Sequence, residues 1–179
     1  MSLQPPEAWE TDRLHLRPPR KSDAEAIFHG YAQDPEVTRY TTWRPHRDLR
    51  DTEAFLDKCR AGWADGSNCT WGLIDKADSQ FIGVVGMVIA PPAVNLGYVL
   101  ARDRWGNGLM TEALRPLVEW ALSQPGIYRA WAVTDVDNSR SAAVLERIGM
   151  QREGTLRRWT FHPNLSKDAR DCFCYAITR

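Results

Sequence analysis

The sequence predicts an α+β fold in which a mixed, mostly antiparallel twisted sheet is flanked by helices. Three observations carry that prediction. Between residues 69 and 101 the apolar residues lose helical spacing and fall into short β-rich runs separated by turn residues. The stretch that follows Gly108 instead places Met110, Ala113, Leu114, Leu117, Val118 and Ala121 on one helical stripe. Beyond that helix, strand-like and helix-like stretches alternate to the C terminus, a mixture typical of helices packed on a sheet.

Taken in order, "RLHLRP" (13–18) alternates as a strand and stops at Pro18-Pro19. Ser22-Asp23-Ala24-Glu25 has capping-box spacing and opens a helix, with Ala26, Ile27 and Tyr31 as core contacts. Residues 34–47 are irregular and rich in aromatic and basic side chains, and a second helix follows over about 51–63 around Phe55, Leu56 and Cys59. "CTWGLID" (69–75) and "FIGVVGMVIA" (81–90) form an antiparallel hairpin through "KADSQ". "VNLGYVLA" (94–101) is a third strand, in which Gly97 marks a bulge or a close backbone approach. The helix of the Met110–Ala121 stripe carries Pro116, which removes one main-chain donor and predicts a kink. A strand at 128–137, a short helix from Asn138 or Ser139 to Gly149, and strands at about 150–161 and 171–178 complete the chain. No repeat or linker divides it, which predicts one domain over 8–179 with 1–7 as a tail. The opening Met-Ser-Leu reads as a cloning remnant and carries no structural weight.

Composition narrows the function. Of 179 residues, 23 are Lys or Arg and 23 are Asp or Glu, so the basic excess that non-specific nucleic-acid binding needs is missing. No apolar run nears the roughly 20 residues required to span a bilayer, and no leader pattern opens the sequence, which predicts a cytoplasmic protein. Cys59, Cys69, Cys172 and Cys174 match no zinc framework, and the four histidines show no metal spacing, so no metal is expected. Alternation in "RDCFCYAI" sets Cys172 and Cys174 on one strand face as small buried thiols.

The chemistry concentrates in "RDRWGNGLMTEAL" (102–114). The helix N terminus that follows the glycines presents unpaired N–H groups and a partial positive charge, which suit an anion. Gly106 and Gly108, on either side of Asn107, let the main chain approach without a Cβ in the way, while Arg102 and Arg104 bring cations close. No Gly-Lys-Ser/Thr or Gly-x-Gly-x-x-Gly follows a strand, so a nucleotide-phosphate binder of that kind is disfavoured. Two further stretches, "ETDRLHLRPPRKSDAEAIF" (10–28) and "DVDNSRSAAVLERIGM" (135–150), complete a pattern.

Together these three stretches resemble the GNAT N-acetyltransferases, in particular the RimJ/RimL-type branch that includes ribosomal-protein N-terminal acetyltransferases. The resemblance implies the GNAT acyl-CoA N-acyltransferase fold and direct transfer of an acetyl group from acetyl-CoA, the cosubstrate, to an amine. It implies a pyrophosphate cradle over Arg102, Arg104, Trp105, Gly106, Asn107, Gly108, Leu109 and Met110. It also implies strand backbone at Leu96 to Leu100 that pairs with the pantetheine arm, and a splay between that strand and the one carrying Ala130 to Val136. A backbone N–H near Val99 or Leu100 is expected to polarise the thioester carbonyl. Asn138 serves as a helix cap, a pantetheine contact, or both. Where many of these enzymes keep a catalytic tyrosine this sequence has Leu145, so Ser141 or water becomes the expected acid. Where some keep a glutamate base it has Asn95, which orients a water at most. Glu112, in Thr111-Glu112-Ala113, is expected to be structural. Asp103 occupies the place of a usual Gln or Arg and is expected to point away from phosphate.

The acceptor is open at this level. Tyr40, Trp43 and Arg44 resemble the acceptor-facing region, and the same residues suit a packing cover over the sheet; His46 borders the groove or sits in a solvated loop. A protein N-terminal α-amine fits the RimJ/RimL-type resemblance. A small amine (an antibiotic, polyamine or amino-acid derivative) and a non-catalytic acyl-CoA sensor are the alternatives. Monomer and homodimer are both expected possibilities, with neither nucleic acid nor membrane as partner.

Overall fold

The computed structural model describes residues 3–179; Met1 and Ser2, the start of the supposed cloning remnant, lie outside the described residues. Eight strands form one sheet: β1 (Trp9–Glu10), β2 (Leu14–Arg17), β3 (Cys69–Asp75), β4 (Phe81–Ala90), β5 (Ala93–Leu100), β6 (Arg129–Asp135), β7 (Gln151–Thr160) and β8 (Arg170–Thr178). Their order across the sheet is β1-β2-β3-β4-β5-β6-β8-β7. Every neighbouring pair is antiparallel except β5 and β6, which run parallel. The helices are α1 (Ala24–Ile27), α2 (Pro35–Thr38), α3 (Leu49–Asp65), α4 (Leu109–Ser123) and α5 (Ser139–Arg147).

Two cores sit on the two faces. Leu96 and Leu100 of β5 and the whole predicted stripe of α4 share the larger core with Leu145 of α5 and Met150. Ile27, Tyr31 and Leu56 pack with Phe81 and Val84 in the smaller one. The helix α4 runs on through Pro116: its buried Leu109, Met110, Leu114, Leu117 and Val118 each contribute about 1.5–3 kcal/mol, together well beyond the ~3 kcal/mol cost of one interior proline.

The first helical region differs from expectation. It is not capped by Ser22 and Glu25; Asp23 accepts the Arg20 N–H at 2.6 Å and two bonds from the Arg17 guanidinium at 2.8 Å each. Those partners need a carboxylate facing β2, which Asp23 presents, whereas Glu25 stands in solvent beside His29. The segment then passes from a 3-10 turn (Lys21–Asp23) through α1 into a π-wound turn (Phe28–Ala32). Within 34–47 one short helix forms, because Asp34 caps Glu36 N–H ahead of Pro35 at the first turn. Gly97 makes no bulge: the β4–β5 register is continuous through Gly86↔Gly97.

Candidate active site

The parallel ladder between β5 and β6 covers only Ala93↔Arg129, Val94↔Ala130 and Asn95↔Trp131. Beyond these pairs the strands part, as the resemblance implied. Asn95 closes the ladder: its Nδ2 donates to the Trp131 carbonyl at 3.3 Å. Asn95 therefore sits at the vertex of the splay with its amide in use, and it is not a cleft-lining residue. The expectation that it orients a catalytic water is corrected on that ground.

Register also decides which amides face the opening. Ala101 N–H donates to the Ile82 carbonyl at 2.8 Å, so by antiparallel alternation Val99, Gly97 and Asn95 exchange bonds with β4. Tyr98 and Leu100 then aim their main-chain groups into the splay. Of the two candidate donors near the thioester, Leu100 N–H is free and Val99 N–H is spent on β4. Val99 itself lines the cleft wall. The Leu100 carbonyl is already bound by Trp105 Nε1 at 2.8 Å.

A cleft of ≈ 500 Å³ runs from this opening along the N terminus of α4. Gly106 and Gly108 have φ of +78° and +75°, a left-handed geometry that strains any other L residue, and nothing lies within 4 Å of a Cβ built on Gly106. Among the described residues, the amides of Gly106, Asn107, Gly108, Leu109, Met110 and Thr111 meet no protein acceptor. Thr111 Oγ1 lines the same cleft, buried and without a hydrogen-bond partner. A ring of unused donors around open space is what a diphosphate requires, so these residues fit the phosphates of acetyl-CoA. The flank of this loop is fixed by Glu112, which accepts Thr11 Oγ1 at 2.6 Å and Arg13 N–H at 2.8 Å. Arg13 in turn donates to the Asn107 carbonyl at 2.9 Å. Burial pushes the Glu112 carboxyl up, but the Thr11 and Arg13 donors outweigh it and hold the group below the usual range. Its expected structural role stands.

The expected cations do not serve the loop. Arg104 reaches the cleft wall, yet its guanidinium is held by Asp75 at 2.9 Å and Asp78 at 2.6 Å. Arg102 leans to Asp34 at 3.5 Å and lies off the cleft. Carboxylates 26 to 29 residues away from Arg104 and 68 residues away from Arg102 consume the charge that local spacing assigned to phosphate. Asn107 likewise turns away, its Nδ2 near the Arg104 carbonyl at 3.4 Å. Asp103 is exposed, pairs with Arg104 Nε at 3.4 Å and does not line the cleft, in accord with its expected orientation.

At the mouth of the splay stands Ser141. Asn138 caps α5 by accepting Ser141 N–H at 3.2 Å, and both residues line the cleft. The Ser141 hydroxyl meets Tyr98 Oη at 2.9 Å, a partner sequence reasoning did not find because it comes from β5, 43 residues earlier. Burial pushes the Tyr98 phenol far up, so it stays a neutral hydrogen-bonding group. Leu145 is fully buried and offers no chemistry.

On the acceptor side, Tyr40 lines the cleft and donates to the Asp137 carbonyl at 3.3 Å. Trp43 does not; it packs on the smaller core beside His46, and its carbonyl accepts Asn164 Nδ2 at 2.8 Å. Arg44 is exposed and off the cleft. Trp43 is therefore the packing cover, and His46, half-buried against Thr52 with its pKa lowered by burial, is neither a groove residue nor a solvated one. Two carboxylates line the cleft besides these: Asp137, bound by Arg170 at 2.5 Å, and Glu36, which has no ion-pair partner among the described residues. All four cysteines are free; Cys172 is buried and its thiol is pushed up to about 11, first by burial and then by Asp135. Among the described residues no cluster of metal-ligating side chains exists.

A sheet parted to admit an extended arm, a donor-lined phosphate cradle at a helix N terminus, and one amide aimed at the parting define a transferase of acyl-CoA type. The sequence profile described as "Acetyltransferase (GNAT) domain" matches residues 13–151, and the chain belongs to that family. It is 30% identical over 155 residues to an N-acetyltransferase, YoaA, of Bacillus subtilis (strain 168), covering 85% of this chain and 87% of the relative. It is also 30% identical over 153 residues to the ribosomal protein uS5-alanine N-acetyltransferase of Escherichia coli (strain K12), covering 80% and 78%. The solved structure of the microcin C7 self-immunity acetyltransferase MccE, in complex with acetyl-CoA and AMP, superposes with a TM-score of 0.86 at 21% identity, over 94% of each chain. RimL, the ribosomal L7/L12 α-N-protein acetyltransferase, solved with CoA, gives 0.82 at 22% identity over 94% and 95%. The protein is an acetyl-CoA-dependent N-acetyltransferase of the RimJ/RimL-like branch. No helix among the described residues is long and apolar enough to cross a membrane.

Proposed function

We propose that the acceptor is the α-amine of a protein N terminus, and that residues 8–179 act as one cytoplasmic catalytic domain. The observation that carries this reading is the similarity to the uS5-alanine acetyltransferase, which extends over 153 residues and 80% of this chain. The acceptor wall of Glu36, Arg39 and Tyr40 supports it, because it offers a carboxylate for an ammonium together with an aromatic face. Acetyl-CoA supplies the thioester when bound, with its phosphates at the amides of 106–111 and at Thr111 Oγ1. Leu100 N–H then stabilises negative charge on the carbonyl oxygen as the amine attacks. Glu36, the cleft carboxylate not already tied to an arginine, takes the proton that the acceptor ammonium loses, directly or through water. Ser141 Oγ–H donates to the departing thiolate, and Tyr98 holds that hydroxyl in place.

Thiol release is the direct test. Acetyl-CoA is offered with peptides of free and blocked N termini, with polyamines, and with aminoglycosides. Turnover on free N-terminal peptides, lost on blocking, supports the reading. Turnover restricted to small amines overturns the acceptor assignment, and CoA binding without thiol release on any amine makes the protein a sensor.

A further inference from the structure

The phosphate cradle lacks the cation its own loop was expected to supply. Arg102 and Arg104 are consumed by Asp34, Asp75 and Asp78, and Asp103 adds a negative charge one residue away. Four arginines line the cleft: Arg39, Arg104, Arg140 and Arg147. Arg39 lies over the Tyr40 ring at 5.5 Å, on the acceptor wall. Arg147 is seven residues beyond Arg140 on α5, about 10 Å further along the axis at ~1.5 Å per residue. Arg140 remains. It is exposed, has no carboxylate partner among the described residues, and sits with Cζ 4.8 Å from the centroid of Trp105, the residue that precedes Gly106. Trp105 belongs to the β5 side of the opening and Arg140 to the β6 side, so this contact spans the mouth of the cleft.

We infer that Arg140 is the pyrophosphate-binding cation of this enzyme, supplied from α5 across the cleft in place of the loop residue that Asp103 displaces. An arginine on an indole face is held weakly, whereas a guanidinium can make paired charge-assisted bonds to phosphate oxygens. The Trp105 face thus keeps Arg140 extended beside the cradle without committing it, and phosphate outcompetes the ring. Once transferred, the guanidinium ties α5 to the 106–111 loop through the diphosphate. Asn138 and Ser141 lie on the same first turn of α5 and are set against the thioester end by the same bond. The inference rests on the reading of 106–111 as a phosphate cradle.

The test is the equilibrium binding of CoA and of dephospho-CoA, measured by calorimetry on the full chain. Arg140→Gln should weaken both ligands about 10-fold or more, the loss of one or two charge-assisted bonds, and Arg140→Lys should fall between. Arg50→Gln, a surface change beside Asp48, controls for the lost net charge and should leave both affinities unchanged. Unaltered affinity in a folded Arg140→Gln overturns the inference. A loss seen with CoA but absent with dephospho-CoA also overturns it, because the cation would then serve the 3′-phosphate. Gly106→Ala in the same titration separates the two readings: if it binds CoA as the wild type does, the cradle itself fails, whatever Arg140 does.

Discussion

Gly106 and Gly126 provide a matched pair for testing the cradle. Both lie in the left-handed region, at φ +78° and +82°, and a Cβ on either meets nothing within 4 Å. Alanine at either site should therefore cost the same ~1–2 kcal/mol of backbone strain. For a chain of this size that is a fall in Tm of about 2–8 °C. Their surroundings differ. Gly126 lies in the turn between α4 and β6, whereas Gly106 faces the space bounded by the unused amides and Thr111 Oγ1. A methyl group at 106 pushes phosphate away from one or two amides, each a charged bond worth about 1.5–3 kcal/mol, so CoA affinity should drop roughly 10- to 100-fold. Thermal melts compare the two strains and calorimetry compares the two affinities. Equal Tm losses with a CoA defect at 106 alone are expected. Equal CoA affinities in the two variants would refute the reasoning.

Tyr98→Phe keeps the buried ring and removes only the hydroxyl, so kcat should fall by about 10-fold with KM for acetyl-CoA nearly constant; combined with Ser141→Ala it should add little, since the two act as one unit. An additive double variant would argue that Tyr98 works elsewhere. Glu112→Ala strips the acceptor from Thr11 and Arg13 and should cost about 2 kcal/mol in a denaturant titration, with a weaker CoA complex because Arg13 loses its anchor beside Asn107. The Asp135 carboxyl is pushed up by burial and held down by Arg170, by Asp137 N–H and by His162, with a net position below the usual range. Its contribution is complete above the unfolded value of about 3.9 and disappears as pH falls through the lower folded value. Asp135→Asn should therefore cost about 3 kcal/mol at neutral pH, the low end for a broken pair because Arg170 is 25% exposed and keeps Asp137. The gap in Tm between variant and wild type should narrow as pH falls below about 3.9, and an equal gap at both ends of the titration would count against the linkage.

Local chemistry was legible in the sequence, and the pairing of distant charges was not. The α4 stripe, the Gly149 end of α5 and the glycines at 106 and 108 follow from spacing and backbone geometry within a few residues, and the structure has them as expected. Arg104 misled because its loop neighbours suggest phosphate while Asp75 and Asp78 arrive from another hairpin. Asn95 misled in the opposite sense: its place before the loop suggested chemistry, and its amide is spent on Trp131 of a strand 36 residues later. Tyr98, Glu36 and Arg140 went unnoticed for a shared reason. Each is an ordinary polar or aromatic residue until tertiary structure sets it against the cleft. At the first helix the sequence offered two acids, and only the direction of Arg17 selects Asp23 over Glu25.

The ladder that joins the two halves of the sheet at β5 and β6 has three residue pairs. A strand edge on a protein's outside is a hazard, because its unmet amides recruit other chains. Here the same hunger is turned inward, at Tyr98 and Leu100, where only a slender extended molecule can reach it. The protein is in this sense one strand short, and the substrate completes it. Saturating CoA should then lend the fold its own binding energy, about 2.7 kcal/mol at a hundred times Kd. Amide exchange at Tyr98 and Leu100 should slow along with it, so that the enzyme is most firmly built while it is at work.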